Sequence, residues 1–219
     1  MGTPFRTGDN SWTMLENFSD SPAGFGIKIY SNIFLGEGTT FSGNNGLGAS
    51  SPATYYVYNN TVIRKNGPDR TIGWINGGTL FMRNNIVMAS TGQSGTDVDV
   101  AAMTPGTAGD DYNFWYQLAG TVTAGTTGPH GSNGISPQLV DYSNDNFALA
   151  SGSPLIHAGD STIGAEYNQG IALGATWPNP ALVTRTAGAW DVGAYQSGGG
   201  SSGGNSAPNA PTSWSTMVR

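Results

Sequence analysis

The chain of 219 residues contains 34 glycines, and only 10% of its residues are charged, with a formal net charge of -6. Long helices favour Glu, Lys and Arg, whereas frequent tight turns favour glycine and asparagine, so this composition indicates an all-β protein. The negative charge argues against a general nucleic-acid-binding protein, the lack of cysteine excludes disulfides, and no apolar run reaches the roughly 18 residues of a membrane span.

Three stretches repeat one pattern, which consists of an alternating strand, an asparagine and a second apolar pair. They occupy residues 27–34, 55–62 and 80–87. Their asparagines and the next one along the chain are spaced 28, 25 and 28 residues apart: Asn32, Asn60, Asn85 and Asn113. A period in the twenties that is built from strands and turns is typical of a β-solenoid, in which each repeat forms one coil. We therefore predict a right-handed parallel β-helix of about five to seven coils.

Side-chain direction alternates along a strand, which divides each repeat into an inner and an outer set. The inner set points into the core: Ile27, Ile29, Tyr55, Val57, Leu80 and Met82. The outer set points away from it: Lys28, Tyr30, Tyr56, Tyr58, Phe81 and Arg83. The asparagine at each corner can bond to the backbone of the adjacent coils, about 4.8 Å away. The segment from Trp12 to Asn17 indicates an earlier coil, although the 15 residues from Asn17 to Asn32 are few for one.

The C-terminal part of the chain is less periodic. Residues 119–196 indicate an irregular closure, with short strands at residues 137–141 and 147–149. Residues 197–206 have the glycine- and serine-rich composition of a flexible linker. Residues 207–219 resemble the first strand of a fibronectin type III module. The predicted organisation is thus a parallel β-helix over residues 1–196, a linker over 197–206 and a tail over 207–219.

Three segments of the closure share a pattern with a known family: residues 136–141, 147–160 and 191–196. They resemble the closing coils of bacterial secreted right-handed parallel β-helix proteins of the pectate-lyase-like superfamily, and the resemblance extends over residues 25–196. His157 and Gln196 depart from this pattern, because acidic residues are usual in the family at both positions. The resemblance implies the fold and a location outside the cell. It also implies that the chain corresponds to the C-terminal half of such enzymes.

The outer set combines aromatic and basic side chains and contains no acid. Aromatic rings stack on sugar faces, and Lys or Arg can hold uronate carboxylates. The predicted partner is therefore an acidic polysaccharide, bound by Tyr30, Tyr56, Tyr58 and Phe81 together with the two basic residues. The alternative is cross-strand packing of aromatic rings, which stabilises a sheet without any ligand.

Catalysis on such a polymer needs either a base or a pair of carboxylates. A lyase needs a base that removes the proton next to the uronate carboxylate, and Lys28 or Arg83 is the candidate. A glycoside hydrolase needs two carboxylates about 5–10 Å apart. The candidate pairs are Asp97 with Asp99 and Asp110 with Asp111. Either pair can also bind calcium or cap a turn, and no cofactor is required by the sequence.

These observations favour an extracellular carbohydrate-active protein, either a polysaccharide lyase or a glycoside hydrolase. The alternative is a non-catalytic solenoid, such as a surface adhesin, a phage-spike-like protein or a structural module. The aromatic outer set is compatible with both, whereas the lack of a clear acid cluster favours the non-catalytic form. A zinc site is not indicated, because His130 and His157 have no further ligand at a suitable spacing.

Overall fold

The computed structural model describes residues 13–18, 26–36, 39–44, 54–65, 75–76, 79–89, 104–105, 110–119, 127–175, 180–186, 188 and 190–198. Within these residues, three parallel sheets wind around a common core. The predicted all-β solenoid is confirmed, and the described residues form about four coils rather than the five to seven expected. Of the predicted linker only Ser197 and Gly198 are described, and the predicted tail lies outside the described residues.

Each coil takes its strands from the three sheets in turn. The first sheet contains β1 (Thr13–Phe18), β4 (Thr39–Asn44) and β7 (Ile75–Asn76). The second contains β2 (Gly26–Tyr30), β5 (Thr54–Tyr58), β8 (Thr79–Arg83) and β10 (Thr104–Pro105). The third contains β3 (Ile33–Gly36), β6 (Thr61–Arg64), β9 (Ile86–Ala89), β11 (Phe114–Gln117) and β12 (Ser132–Asn133).

Strand β1 corrects the prediction of a separate earlier coil. It pairs with β4 in the first sheet, and β2 and β3 follow it along the chain. It is therefore the first side of the same coil, which explains why Asn17 and Asn32 are so close in sequence.

Each passage from the second to the third sheet is a two-residue corner. The first corner residue has a φ angle of 54° to 58° in all four coils: Ser31, Asn59, Asn84 and Tyr112. Asparagine adopts this left-handed conformation more readily than most residues, because its short amide can hydrogen-bond locally. The second corner residue is the asparagine of the sequence repeat.

The repeated asparagines stack in a single column, as the sequence predicts. Oδ1 of Asn60 accepts hydrogen bonds from the backbone N–H and from Nδ2 of Asn32, at 3.0 and 3.1 Å. The same two bonds recur between Asn60 and Asn85 and between Asn85 and Asn113. Nδ2 of Asn60 also donates to the carbonyl of Ile29 at 2.8 Å. Asn60, Asn85 and Asn113 are fully buried, so their hydrogen bonds satisfy polar groups that water cannot reach.

The solenoid core contains the inner set wherever its side chains are described. Ile29, Tyr55, Val57 and Met82 are buried, which confirms their predicted direction. The side chains of Ile27 and Leu80 lie outside the described part of the chain.

A C-terminal layer covers the outward face of the third sheet. It consists of an antiparallel hairpin, β13 (Leu139–Asp141) and β14 (Asn146–Leu149), a 3-10 turn (Ala165–Tyr167), and a mixed sheet of β15 (Gln169–Ala172), β16 (Leu182–Thr184) and β17 (Tyr195–Gln196). Ile63 and Met88 of the third sheet pack against Phe147 and Ile171 of this layer. Both faces of the third sheet are therefore buried in apolar contacts.

Arg185 holds the end of the C-terminal layer together. Its side chain is 2% exposed and donates to the backbone carbonyls of Asp191, Gly193 and Ala194. It also donates to Oε1 of Gln196, which in turn accepts the backbone N–H of Asp191. Burial lowers the pKa of Arg185 to about 10, so the guanidinium stays charged at neutral pH. The neutral amide of Gln196 thus serves as an acceptor for this guanidinium.

We expect the substitution Asn60→Leu to destabilise the protein by about 1–3 kcal/mol, because it removes the donor to the buried carbonyl of Ile29 and the acceptor of the partly buried N–H of Asn32. Asn32→Leu is the matched control, because Asn32 is exposed and ends the described column. Urea denaturation measures both. Equal losses for the two variants would contradict a stabilising role for the column.

Candidate functional site

The register of the second sheet arranges the six outer residues in two rows, which we call the outer face. The first row contains Lys28, Tyr56 and Phe81, and the second contains Tyr30, Tyr58 and Arg83. Asp111 is the register partner of Arg83 and extends the second row into the fourth coil. Three successive coils thus bring these six residues onto one sheet.

An aromatic pair lies at the centre of the outer face. The rings of Tyr56 and Phe81 stack with centroids 5.5 Å apart and an interplanar angle of 14°. The ring of Tyr58 approaches Tyr56 edge-on at 6.0 Å. Tyr56 and Phe81 are both partly exposed, so part of this aromatic surface is open to solvent.

A segment of the C-terminal layer, residues 159–169, crosses the outer face; we call it the strap. Its Tyr167 packs edge-on against Tyr30 and Tyr58, with centroids 5.2 and 4.7 Å apart. Tyr58 is consequently only 7% exposed, and burial raises its pKa well above the usual range. Tyr30 remains 36% exposed. The strap therefore covers one ring of the outer face and leaves the others in part accessible.

The corner residues with positive φ hold the strap in place. Asn84 donates from Nδ2 to the carbonyl of Asp160 at 2.9 Å and accepts the N–H of Asp160 at 2.7 Å. Asn59 donates to the carbonyl of Tyr167 at 3.1 Å, and Ser31 donates to that of Gln169 at 2.5 Å. One corner from each of three coils binds the strap, so the strap runs along the solenoid and links its coils.

Lys28 forms a weak ion pair with the strap. Its Nζ lies 3.5 Å from Oε1 of Glu166, and both side chains are about half exposed, at 48% and 54%. The electrostatic effects of Tyr167 and, after it, of Glu166 raise the pKa of Lys28. Exposed pairs of this kind contribute little to stability because water screens them. Lys28 therefore stays a protonated cation that a dissolved anion can reach.

Arg83, in contrast, is a structural anchor. Its guanidinium contacts the carboxylate of Asp160, whose side chain is 7% exposed. Asp160 also accepts hydrogen bonds from the N–H and the hydroxyl of Thr162. The charge of Arg83 is thus compensated inside the protein, at the point where the strap begins.

Asp110 directly precedes Asp111 at the fourth-coil end of the second sheet. Its Oδ1 accepts the backbone N–H of Met82 at 2.7 Å. Burial raises the pKa of Asp110 to about 6, and the opposing effects of this hydrogen bond and of Arg83 are smaller. A carboxyl group with such a pKa is partly protonated in mildly acidic solution.

Asp111 binds a histidine that is distant in sequence. Its Oδ2 lies 2.7 Å from Nδ1 of His130, and its Oδ1 accepts the backbone N–H groups of Tyr112 and His130. Burial acts to raise the pKa of Asp111, but the hydrogen bonds from His130 and Tyr112 outweigh it and leave the pKa below the usual range. The rings of Tyr112 and His130 stack at 4.6 Å. Asp110 and Asp111 are therefore neighbours with opposite pKa shifts.

The structure describes most of the candidate site residues that the sequence suggested, but not all of them. The six outer residues lie along the second sheet, with Asp110 and Asp111 at its fourth-coil end, whereas Asp97 and Asp99 lie outside the described residues. Sequence reasoning missed His130 and the strap, because the partners are 19 residues apart for His130 and Asp111 and 138 for Lys28 and Glu166. Within the described ranges, no three His, Cys, Asp or Glu side chains come together as ligands for a metal ion.

In comparisons with protein-family models, curated proteins and solved structures, no significant match to the chain was found. The β-solenoid is therefore established by the structure itself, and the resemblance to the pectate-lyase-like superfamily remains a prediction from sequence. Among the described residues, no helix has the length and apolar character needed to cross a membrane.

We expect Asp110→Asn to stabilise the protein at neutral pH, because the amide keeps the acceptor for Met82 and removes a poorly solvated charge. The pKa of this carboxyl group is higher in the folded than in the unfolded state. Its ionisation therefore lowers the free energy of unfolding as the pH rises from the unfolded-state pKa to about 6. The difference in melting temperature between variant and wild type should therefore be small near pH 4 and grow towards pH 7.

Asp141→Asn is the control for this experiment. Hydrogen bonds from Asn144 lower the pKa of Asp141, so its carboxylate is favoured in the folded state. The control should lose stability relative to wild type as the pH rises. A difference for Asp110→Asn that does not change with pH would contradict the buried carboxyl group.

Proposed function

We propose that the protein binds a polysaccharide along the outer face of the second sheet. The observation that supports this most directly is the partly exposed pair of Tyr56 and Phe81, which lies in one row with the exposed Lys28. Aromatic rings provide apolar contact to sugar rings, and an adjacent cation provides a charged contact. An extracellular location is part of this proposal, since polysaccharides of this kind are outside or on the surface of cells.

The charges on the outer face largely compensate one another, so binding does not require a highly acidic polymer. Glu166 and Asp160 compensate Lys28 and Arg83, so the outer face as a whole has little excess positive charge. Only the pair of Lys28 and Glu166 is exposed enough to exchange its partner for a uronate carboxylate. We therefore assign the preference for acidic sugars to Lys28, and the larger part of the affinity to the aromatic pair.

If the protein is an enzyme, the arrangement favours a glycoside hydrolase over a lyase. A lyase base must be unprotonated, but the pKa of Lys28 is raised and Arg83 is bound to Asp160. A hydrolase needs one protonated and one ionised carboxyl group, which requires environments that separate their pKa values. Asp110 and Asp111 show this separation, so Asp110 is the proposed acid.

A non-catalytic structural solenoid is the second candidate. The strap supports it, because Tyr167 covers Tyr58 and the strap acids compensate both cations of the outer face. In that case the aromatic rings serve chiefly as the packing surface for the strap. A binding measurement separates the two candidates.

We expect the double variant Tyr56→Leu with Phe81→Leu to lose polysaccharide binding, because leucine retains apolar volume but has no ring face. Affinity electrophoresis in gels that contain polygalacturonate or a neutral β-glucan measures this directly. Tyr142→Leu is the control, because Tyr142 is also a partly buried aromatic residue but packs on the hairpin of the C-terminal layer. Failure of the wild type to bind any polymer would favour the structural candidate.

We expect Lys28→Ala to weaken binding of polygalacturonate but not of the neutral glucan. The contribution of Lys28 should decrease with salt, because exposed charges are screened over about 8–10 Å at ordinary ionic strength. Arg83→Ala should instead lower the melting temperature, because it leaves Asp160 buried without its counter-ion. An equal effect of Lys28→Ala on both polymers would contradict the charge assignment.

A further inference from the structure

We propose that His130, on the loop that packs against the fourth coil, is a sugar-binding residue, held by Asp111 of that coil so that its Nε2 atom accepts a hydrogen bond from a ligand hydroxyl group. This inference rests on the proposed polysaccharide binding and extends the binding surface by one coil. The ligand class is a polyhydroxylated chain, because the site offers an acceptor and an aromatic stack rather than a cluster of charges.

The carboxylate of Asp111 determines which ring nitrogen can accept. Oδ2 lies 2.7 Å from Nδ1, and an ionised carboxylate can only accept hydrogen bonds, so Nδ1 must bear the proton. In a neutral imidazole the other nitrogen then has a free lone pair. In this neutral form Nε2 is therefore an acceptor, and a hydroxyl group is the donor that a sugar provides.

The imidazole is also fixed in position before any ligand arrives. Asp111 binds the backbone N–H of His130 at 2.7 Å as well as its ring, and the ring stacks on Tyr112 with an interplanar angle of 14°. The loop before His130 approaches the fourth coil closely at Gly128, where a Cβ atom would lie 2.2 Å from the carbonyl oxygen of Asp110. Gly128 has a φ angle of 73°, so glycine is required there on both grounds. A side chain that is already ordered loses little entropy on binding.

The site is accessible and continuous with the outer face. The side chain of His130 is 61% exposed, whereas that of Asp111 is 13% exposed. Asp111 continues the row that contains Tyr30, Tyr58 and Arg83. A chain that lies along the outer face from Lys28 would thus reach His130 at the fourth coil.

His157 offers a matched comparison. Its Nδ1 lies 3.3 Å from Oδ1 of Asp191 and its side chain is 53% exposed, but it belongs to the C-terminal layer and lies outside the two outer rows. It also has a φ angle of 57°, which asparagine tolerates. Replacing each histidine by asparagine therefore changes two exposed, carboxylate-paired imidazoles in the same way.

The experiment measures binding of polygalacturonate and of a neutral β-glucan by affinity electrophoresis. His130→Asn should weaken binding by about 2- to 10-fold, the effect of one lost hydrogen bond, and His157→Asn should leave it unchanged. Equal melting temperatures of the variants and the wild type confirm that the fold is retained, and His130→Gln replaces the first variant if it does not fold. A ¹⁵N spectrum of the wild-type imidazole should show the tautomer protonated at Nδ1.

Two outcomes would overturn the inference alone. One is His130→Asn binding as tightly as the wild type while the Tyr56 and Phe81 double variant is weakened, and the other is an imidazole protonated at Nε2. Absence of binding by the wild type to both polymers would instead refute the proposed function, and the inference with it.

Discussion

The fold depends on how the chain satisfies its backbone at the corner between the second and third sheets. At this corner the chain changes direction within two residues, and in the second and third coils both corner residues are fully buried, so water cannot take up the unpaired groups. The amides of Asn60, Asn85 and Asn113 each provide a donor and an acceptor to neighbouring coils, whereas Asn32 at the end of the column also donates to the carbonyl of Tyr30 in its own coil. Because this column fixes the vertical alignment of the coils, it also fixes which outward side chains become neighbours.

The same corner also attaches the strap to the coils. The residue before each column asparagine must adopt a positive φ, and this turns its side chain and backbone towards the C-terminal layer. Asn59 and Asn84 use their amides to bind the strap at Tyr167 and Asp160. At each of these two corners the second asparagine therefore links successive coils, and the first links the coils to the layer that covers them, while Asn84 also donates to Oδ1 of Asn59 in the preceding coil.

The strap also sets the chemistry of the outer face. The side chains of Tyr30 and Tyr58 point in the same direction on neighbouring strands. Tyr58 is nevertheless buried and Tyr30 partly exposed, because Tyr167 packs more closely on Tyr58. Arg83 and Lys28 are both basic, but the first is an internal anchor and the second is a solvated cation. What remains for a ligand is an aromatic centre with Lys28 at one end and the imidazole of His130 at the other. Because Lys28 is accessible and Arg83 is not, apolar contact rather than net charge is the main basis of the proposed recognition.

The local sequence determined the repeat, the asparagine column and the direction of the inner side chains. These features follow from the alternation of side chains along a strand and from a nearly constant coil length, both of which can be read from the order of residues along the chain. The tertiary structure alone decided that β1 shares a coil with β2, that the strap covers Tyr58, and that Asp111 meets His130. Arg83 and Asp160 are 77 residues apart, and Lys28 and Glu166 are 138 apart. No spacing rule relates residues at such distances, because their contact depends on the path by which the C-terminal layer returns across the coils.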